Sequence, residues 1–370
     1  MKRLFAISII CLLLRVASGR SQDIVEYYDP NSKAASKIEQ IRGTIESENA
    51  LGIKVHPRNA PVKEIHAADI RYIRYRAVAA AELDYRKPFG SEDRALGQTR
   101  EELRKRLLAE SLQGFRDLLS KAKESPAAER YIEYRIAASL ALQATDDHDK
   151  LDPAIEAFVA FGKKHTDGWE IVAALKQLAR LQEEKGNLAG TGEAFADLAR
   201  VPGITQQLRQ EAAILSARAL YRAGRIDEGE KKLLTLDASL TDRDSAKPTV
   251  QIFLAQGRIA RGDLANVEGA IRAALAKTTE PAVLAAAHNI LGDYYLKKGQ
   301  PEAAFWEYLH VDVQYGDDRD EEAKALYHLS QLFDKVKNDK VRAQDCLTRL
   351  QDKSAFAGTE YYKKATASKP

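Results

Sequence analysis

The chain has 370 residues, 45% of them apolar and 30% charged, and a formal net charge of +3. This is an ordinary soluble composition with room for two domains. The charge is too small to support bulk electrostatic binding of nucleic acid.

Residues 1–19 read as a secretory signal peptide. Lys2-Arg3 make a basic start, Leu4 to Leu14 an apolar core too short to span a bilayer, and Ala17-Ser18-Gly19 a small-residue cleavage site. The mature chain is expected to begin at Arg20; retention of the apolar segment as an anchor is the alternative. Cys11 is not read as a lipoprotein cysteine, because Ile10 stands where a small residue would be needed. Cleavage leaves Cys346 alone, which excludes an intramolecular disulfide and predicts a buried, inert thiol.

Residues 20–75 have β texture. Ile41, Gly43 and Ile45 alternate with polar residues, Glu48 to Gly52 form a turn, and Ile53 and Val55 alternate again. Pro57 to Pro61 interrupt the chain before two further short runs, Val62 to His66 and Ile70 to Tyr75. Short alternating runs between turns predict a compact antiparallel meander. Its length and spacing are similar to small SH3-like or Sm-like barrels. The last run, ADIRYIRY, could also open a helix, so Arg76 is an approximate boundary.

The rest is helical. Residues 76–125 predict an irregular first pair, Ala77 to Lys87 and Gln98 to Ala122, joined by a Pro88-Phe89-Gly90 loop. Residues 126–352 carry the repeats, first Ala127 to Thr145 with Pro153 to Lys163, joined by Asp146 to Asp149. The final pair runs from Glu321 to Leu350 around Asn338-Asp339. Residues 353–370 add a short helix near Glu360 and a basic tail at Lys363-Lys364.

Between these ends, four turns share one grammar: Lys185-Gly186-Asn187-Leu188, Ala223-Gly224-Arg225-Ile226, Arg261-Gly262-Asp263-Leu264 and Lys298-Gly299-Gln300-Pro301. The glycine intervals are 38, 38 and 37 residues (224−186, 262−224, 299−262). Seven residues before each glycine stands a small residue, Ala179, Ala217, Ala255 or Gly292. Nine after it stands a large one, Phe195, Leu233, Ile271 or Tyr308. Glycine ends a helix in the left-handed conformation at little steric cost, and the small residue admits a second helix closely. A period of this size predicts a solenoid of helix pairs, each burying its face on its neighbours.

On these residues the chain resembles the tetratricopeptide repeat family. Counting from Ala285, the positions Leu291, Gly292, Tyr295, Ala304 and Tyr308 fall on that family's Leu-Gly, Tyr, Ala and aromatic places. It departs at His288, where Trp is usual, at Gly316, where Pro is usual, and in an interval longer than about 34 residues. Longer connections, as at Val201-Pro202-Gly203 and Leu240 to Lys247, are one reading of the difference; a related helical repeat of slightly different length is the other. The implied fold is mainly α, a right-handed α–α superhelix preceded by a small all-β SH3/Sm-like module. The resemblance also implies a concave groove lined by first helices, at Lys176, Arg180, Arg218, Arg222, Gln256, Asn289 and Asp293. The family's dicarboxylate-clamp residues are not reproduced here.

No catalytic motif emerges: no His-Glu-x-x-His, no cysteine cluster, no phosphate loop and no nucleophile elbow. Gly190-x-Gly192 follows a helix and lacks a third glycine, and Arg261-Gly262-Asp263 fills a repeat turn. Acidic runs at Asp146 to Asp149 and Asp317 to Asp320 read as solvated loops, and Trp169 and Trp306 as core residues. No catalytic residue, metal or cofactor is expected. The favoured reading is an exported, non-enzymatic scaffold of the cell envelope, periplasmic in location. It would bind a protein or peptide segment, acidic if the groove cations face it, with no nucleic acid and no transmembrane segment in the mature chain. The alternatives are RNA binding through Arg71, Arg74 and Arg76 of an Sm-like module, and a cell-wall enzyme built on a helical superhelix.

Overall fold

The structure, a computed structural model, describes residues 22–30 and 37–367; the signal segment and Cys11 lie outside them. The chain divides into two compact units. The first runs to Leu181 and includes Val201–Ile204; the second comprises Gln182–Arg200 and everything from Thr205 on.

The first unit begins with five strands: β1 (Asp23–Tyr28), β2 (Ile38–Asn49), β3 (Gly52–Pro57), β4 (Lys63–His66) and β5 (Ile70–Arg74). They form one antiparallel sheet in the order β4-β3-β2-β1-β5, with a single 3₁₀ turn, Ala67–Asp69, before β5. The meander expected from alternation is present. ADIRYIRY is a 3₁₀ turn and a strand, not the start of a helix.

The sequence reading passed over β1, which pairs with both β2 and β5. Its run Ile24-Val25 is buried on both faces, so it carries no period-two signal. Asp23 ties the sheet down at its end, accepting from the Ile45 N–H at 3.1 Å and the Arg76 N–H at 2.7 Å. The backbone of edge strand β5 is occupied by helix side chains. Tyr131 Oη accepts from the Ile73 N–H at 3.4 Å, and the Tyr85 hydroxyl donates to the Ile73 carbonyl. An edge so used offers less template for another strand.

Five helices complete this part: α1 (Glu82–Leu96), α2 (Glu101–Ala122), α3 (Pro126–Ala144), α4 (Leu151–Lys164) and α5 (Ile171–Glu184), whose last residues belong to the second unit. The expected boundaries of the first pair are corrected here. Arg76–Ala81 is a 3₁₀ stretch, and Pro88-Phe89-Gly90 lies inside α1 rather than in a loop. Proline inside a helix removes a backbone hydrogen bond, but packing overrides that preference. The Phe89 ring meets Tyr72 at 4.6 Å and Phe115 at 4.8 Å between centroids, and Pro88 fits against Gly114 of α2.

The second unit is the helix-pair array: α6 (Leu188–Arg200), α7 (Gln206–Arg222), α8 (Ile226–Ser239), α9 (Ala246–Ala260), α10 (Val267–Leu275), α11 (Pro281–Lys297), α12 (Pro301–Gln314), α13 (Arg319–Lys335) and α14 (Lys340–Leu350), closed by the short α15 (Lys353–Phe356) and α16 (Glu360–Ala367). The turn grammar is realised as expected. Gly186, Gly224, Gly262 and Gly299 have φ of 81°, 76°, 82° and 68°. After each, the next residue's N–H reaches back to a carbonyl in the last helical turn, as Arg225 N to Leu220 O at 2.9 Å and Gln300 N to Tyr295 O at 2.8 Å. Asn338, at φ 53°, does the same job in the last pair. In the pair joined at Gly299 the small–large pairing is a direct contact: a Cβ on Gly292 would fall 2.5 Å from the Tyr308 ring. Ser216 Oγ donates to the Gly192 carbonyl at 2.7 Å, so Gly192 of the Gly-x-Gly stretch serves the close approach of α6 to α7.

Two packing expectations need correction. Trp169 is buried, but Trp306 is 56% exposed, with the Lys337 ammonium 5.3 Å from its ring centroid. Asp146, read as solvated, has its carboxylate buried against the Arg104 guanidinium. Cys346 is buried as expected, and burial pushes its thiol up to about 11. No described helix is long and apolar enough to cross a membrane.

Candidate functional site

First helices of successive pairs, α7, α9, α11 and α13, contribute to one polar face of the second unit. A cavity of about 100 Å³ there is lined by Arg218 and Arg222 (α7), Phe253 and Gln256 (α9), Ile290 (α11) and Lys324 (α13). A larger, more apolar cavity of about 310 Å³ shares Gln256 and adds Tyr221, Ile259 and Leu296. Gln256 therefore stands at their junction, half-exposed.

Charge on this face is largely balanced internally. Arg218 Nη2 donates to Glu321 Oε1 at 2.8 Å, and its guanidinium lies 4.7 Å from the Phe253 ring centroid. Asn289 is fully buried and donates to the Glu321 carbonyl at 2.9 Å and carboxylate at 2.8 Å. Glu321 is thus gripped from two helices. Arg222 pairs with Glu183. Asp293 accepts from the Tyr308 hydroxyl at 2.7 Å and from the Lys324 ammonium. Burial opposes the Lys324 charge, yet Asp293, with Tyr361 and Glu321, outweighs it and holds the ammonium above the usual lysine range.

Below Lys324 on α13, the His328 ring stacks on Tyr308 at 4.6 Å and faces Tyr361 of α16 at 5.8 Å. Burial, reinforced by Lys324 and Lys364 against the pull of Asp293, pushes His328 down to about 4. It is neutral at physiological pH. Tyr361 is pushed up to about 12, chiefly by burial.

The sequence-derived groove residues therefore divide. Arg218, Arg222, Gln256 and Asp293 line the two cavities of the second unit. Asn289 is interior and offers its amide to Glu321 instead of to solvent. Lys176 and Arg180 are exposed on α5, within the first unit. Glu321, Lys324, His328 and Tyr361 were not singled out from the sequence. An acid or histidine on a helix looks like a solvated residue until its neighbouring helix is known, and only their spacing on α13, at 321, 324 and 328, marks one face.

The first unit holds a cavity of about 580 Å³ between the sheet and α1 and α3, lined by Arg71, Arg74, Arg86, Arg135, Tyr72 and Phe89 among others. Arg71 pairs with Glu26 and Asp93 at 2.9 Å each, and Arg74 is buried. Of the three arginines put forward for RNA, Arg71 and Arg74 are thus built into the packing of the sheet, whereas Arg76 is exposed. Deeper still, Arg130 of α3 serves both Glu48 of β2 and Glu170, the latter at 2.9 Å. Glu170 is wholly buried; desolvation, with the Glu48 charge and against Arg130, pushes it up to about 7.

The second unit is an array of helix pairs joined by glycine turns. No family model matches the chain, and no curated protein matches it. Among solved structures it is similar to a tetratricopeptide repeat protein from Parabacteroides merdae ATCC 43184, with 14% identity and a TM-score of 0.49 over 75% of this chain and 98% of that one. It is also similar to BtubC (BKLC) from P. vanneervenii, with 16% identity and a TM-score of 0.36 over 65% and 92%. Both likenesses are distant, and the architecture rests on the helix pairs themselves.

Proposed function

We propose that this protein is an exported, non-enzymatic interaction scaffold of the cell envelope, and that the face built by α7, α9, α11 and α13 holds a segment of a protein partner. The observation that carries the reading is the convergence of four first helices on two adjoining cavities, with Gln256 between them. Concave sites lined by a few polar groups over apolar walls are where ligands are usually held. Because Arg218 and Arg222 already have acidic partners, an incoming acidic segment must compete with Glu321 and Glu183. Affinity would then come mainly from apolar contact beside Tyr221 and Leu296, with charge setting register. Export is supported by the order of Lys2-Arg3, the apolar run and Ala17-Ser18-Gly19.

Gln256→Trp tests the site, because it fills the junction without removing an ion pair. Tag-free wild type and variant are compared in crosslinking capture from fractionated cells, with circular dichroism confirming the fold. Loss of the same captured protein in the variant supports the reading; unchanged capture overturns it. Sequencing of the mature N-terminus tests export separately: Arg20 in an envelope fraction is expected, and intact Met1 in cytosol excludes it.

A further inference from the structure

His288 of α11 faces Glu307 and His310 of α12, and this cluster lies outside the partner-binding face. His288 Nδ1 is 2.7 Å from Glu307 Oε2, and the two imidazole rings sit 5.0 Å apart. One ligand atom from each of His288, Glu307 and His310 lies within 4.8 Å of the others. We propose that these three side chains form a divalent transition-metal site of the zinc class, independent of the scaffold reading.

The donor set is the first argument. Two imidazoles and one carboxylate suit zinc better than magnesium or calcium, which prefer oxygen donors. Helix geometry is the second. Glu307 and His310 are three apart and so share one face of α12, while the antiparallel α11 brings His288 to that face. The ligands therefore come from two packed helices instead of from a loop.

Orientation is the third argument. Glu307 is buried, and its other oxygen, Oε1, accepts from Arg272 Nη2 at 3.1 Å. Arg272 is held in turn by the Tyr295 hydroxyl at 2.9 Å and by Glu268 at 3.1 Å. This leaves Oε2 turned toward His288. The His288 ring is fixed from its other side by stacking on Tyr315 at 5.6 Å and 16°. Outer contacts of this kind fix ligand direction in metal sites.

Tetrahedral zinc at ordinary bond lengths needs its ligand atoms about 3.3 Å apart. His288 and Glu307 are already closer than that, so the ion would enter between them and open the pair slightly. His310 is exposed, and rotation of its side chain closes the remaining gap without moving the backbone. The three protein ligands leave a fourth position for water on the exposed side. The positive charge of Arg272 beside Glu307 opposes the ion and favours modest affinity.

The test is titration of the tag-free full chain with ZnCl₂ by calorimetry, alongside thermal melts, with MgCl₂ as the control. One zinc per chain and a raised melting temperature are expected, with no response to magnesium. His310→Ala, at an exposed position, should keep the apo melting temperature and weaken zinc binding by more than the roughly tenfold that loss of an outer contact alone costs. His288→Ala should weaken zinc binding as much, but with a lower apo melting temperature, because the ring also contacts Glu307 and Tyr315. Zinc binding that is absent, or equal in wild type and His310→Ala, overturns the proposal.

Discussion

In the first unit one guanidinium, Arg130, stands between two carboxylates, Glu48 and Glu170. In the second, the imidazole of His328 lies beside an ammonium, Lys324, that already has its carboxylate in Asp293. Each of these two clusters therefore holds one titratable group beyond what its ion pair neutralises, an acid in one and a base in the other. Burial disfavours the charged form of both. The consequence is opposite: Glu170 moves up to about 7 and His328 down to about 4. The two units should respond to pH with opposite signs.

The largest expected effects come from glycines set by close approach, one in each unit. A Cβ on Gly292 would lie 2.5 Å from the Tyr308 ring, and a Cβ on Gly43 would lie 2.5 Å from the His56 carbonyl oxygen. Gly43 sits where β2 passes from β1 to β3, opposite both Asp23 and Pro57. Gly292→Val and Gly43→Val should each cost about 3 kcal/mol or more, since neither neighbour has room to withdraw. Hydrogen exchange locates the damage. Lost protection should concentrate on α11 and α12 for the first and on β2 and β3 for the second; uniform loss in both would mean that the two units do not unfold separately.

Next in size is the acid of the first unit. The ordinary glutamate value of 4.5 is raised to about 7 in Glu170, so folding favours its protonated form. That contribution is fully present below about 4.5 and is lost as pH rises through about 7. The full shift corresponds to about 3 kcal/mol, of which about 2 is lost between pH 5.5 and pH 8. Denaturant midpoints at pH 5.5 and pH 8 should fall between the two for wild type and fall much less for Glu170→Gln. Parallel behaviour of the two proteins would remove the account given of Arg130, Glu48 and Glu170.

The base of the second unit runs the other way and more weakly, because His328 keeps some access to solvent. Its ordinary value of 6.5 is lowered to about 4, so folding favours the neutral ring. The contribution is present above about 6.5 and is lost as pH falls toward 4. Between pH 7 and pH 4.5, His328→Gln should lose about 1–2 kcal/mol less than wild type, after allowance for exposure. A variant that tracks wild type across this range would mean that the ring is solvated.

What could be read in advance follows the same division. The array was legible because its devices are local: a glycine at positive φ, a small residue seven before, a large one nine after. The four strands with turns between them were legible for the same reason. β1 was not, because a central strand loses its alternation when both faces are covered. The α1 helix was misplaced because Pro88 reads locally as a break, and only Phe89's contacts with Tyr72 and Phe115 show otherwise. On the face built by α7, α9, α11 and α13, the α7 cations and Gln256 were named from the resemblance, and they line the cavity there. Glu321, Lys324 and His328 did not, since their roles depend on which helix lies opposite.

The smallest expected effect isolates the turn from the packing. Gly224 has φ 76° and nothing within 4 Å of where its Cβ would be, unlike Gly292. Gly224→Ala should therefore cost only the backbone strain of an L-residue in the left-handed region, about 1 kcal/mol. Asn266 and Asn338 already adopt that region in this chain, at φ 55° and 53°, because a short polar side chain tolerates it better than alanine does. Gly224→Asn should then lie between wild type and Gly224→Ala in denaturant midpoint, with the same slope. If asparagine and alanine cost the same, the turn is not held by its conformation, and the repeat grammar built on these glycines loses its physical basis.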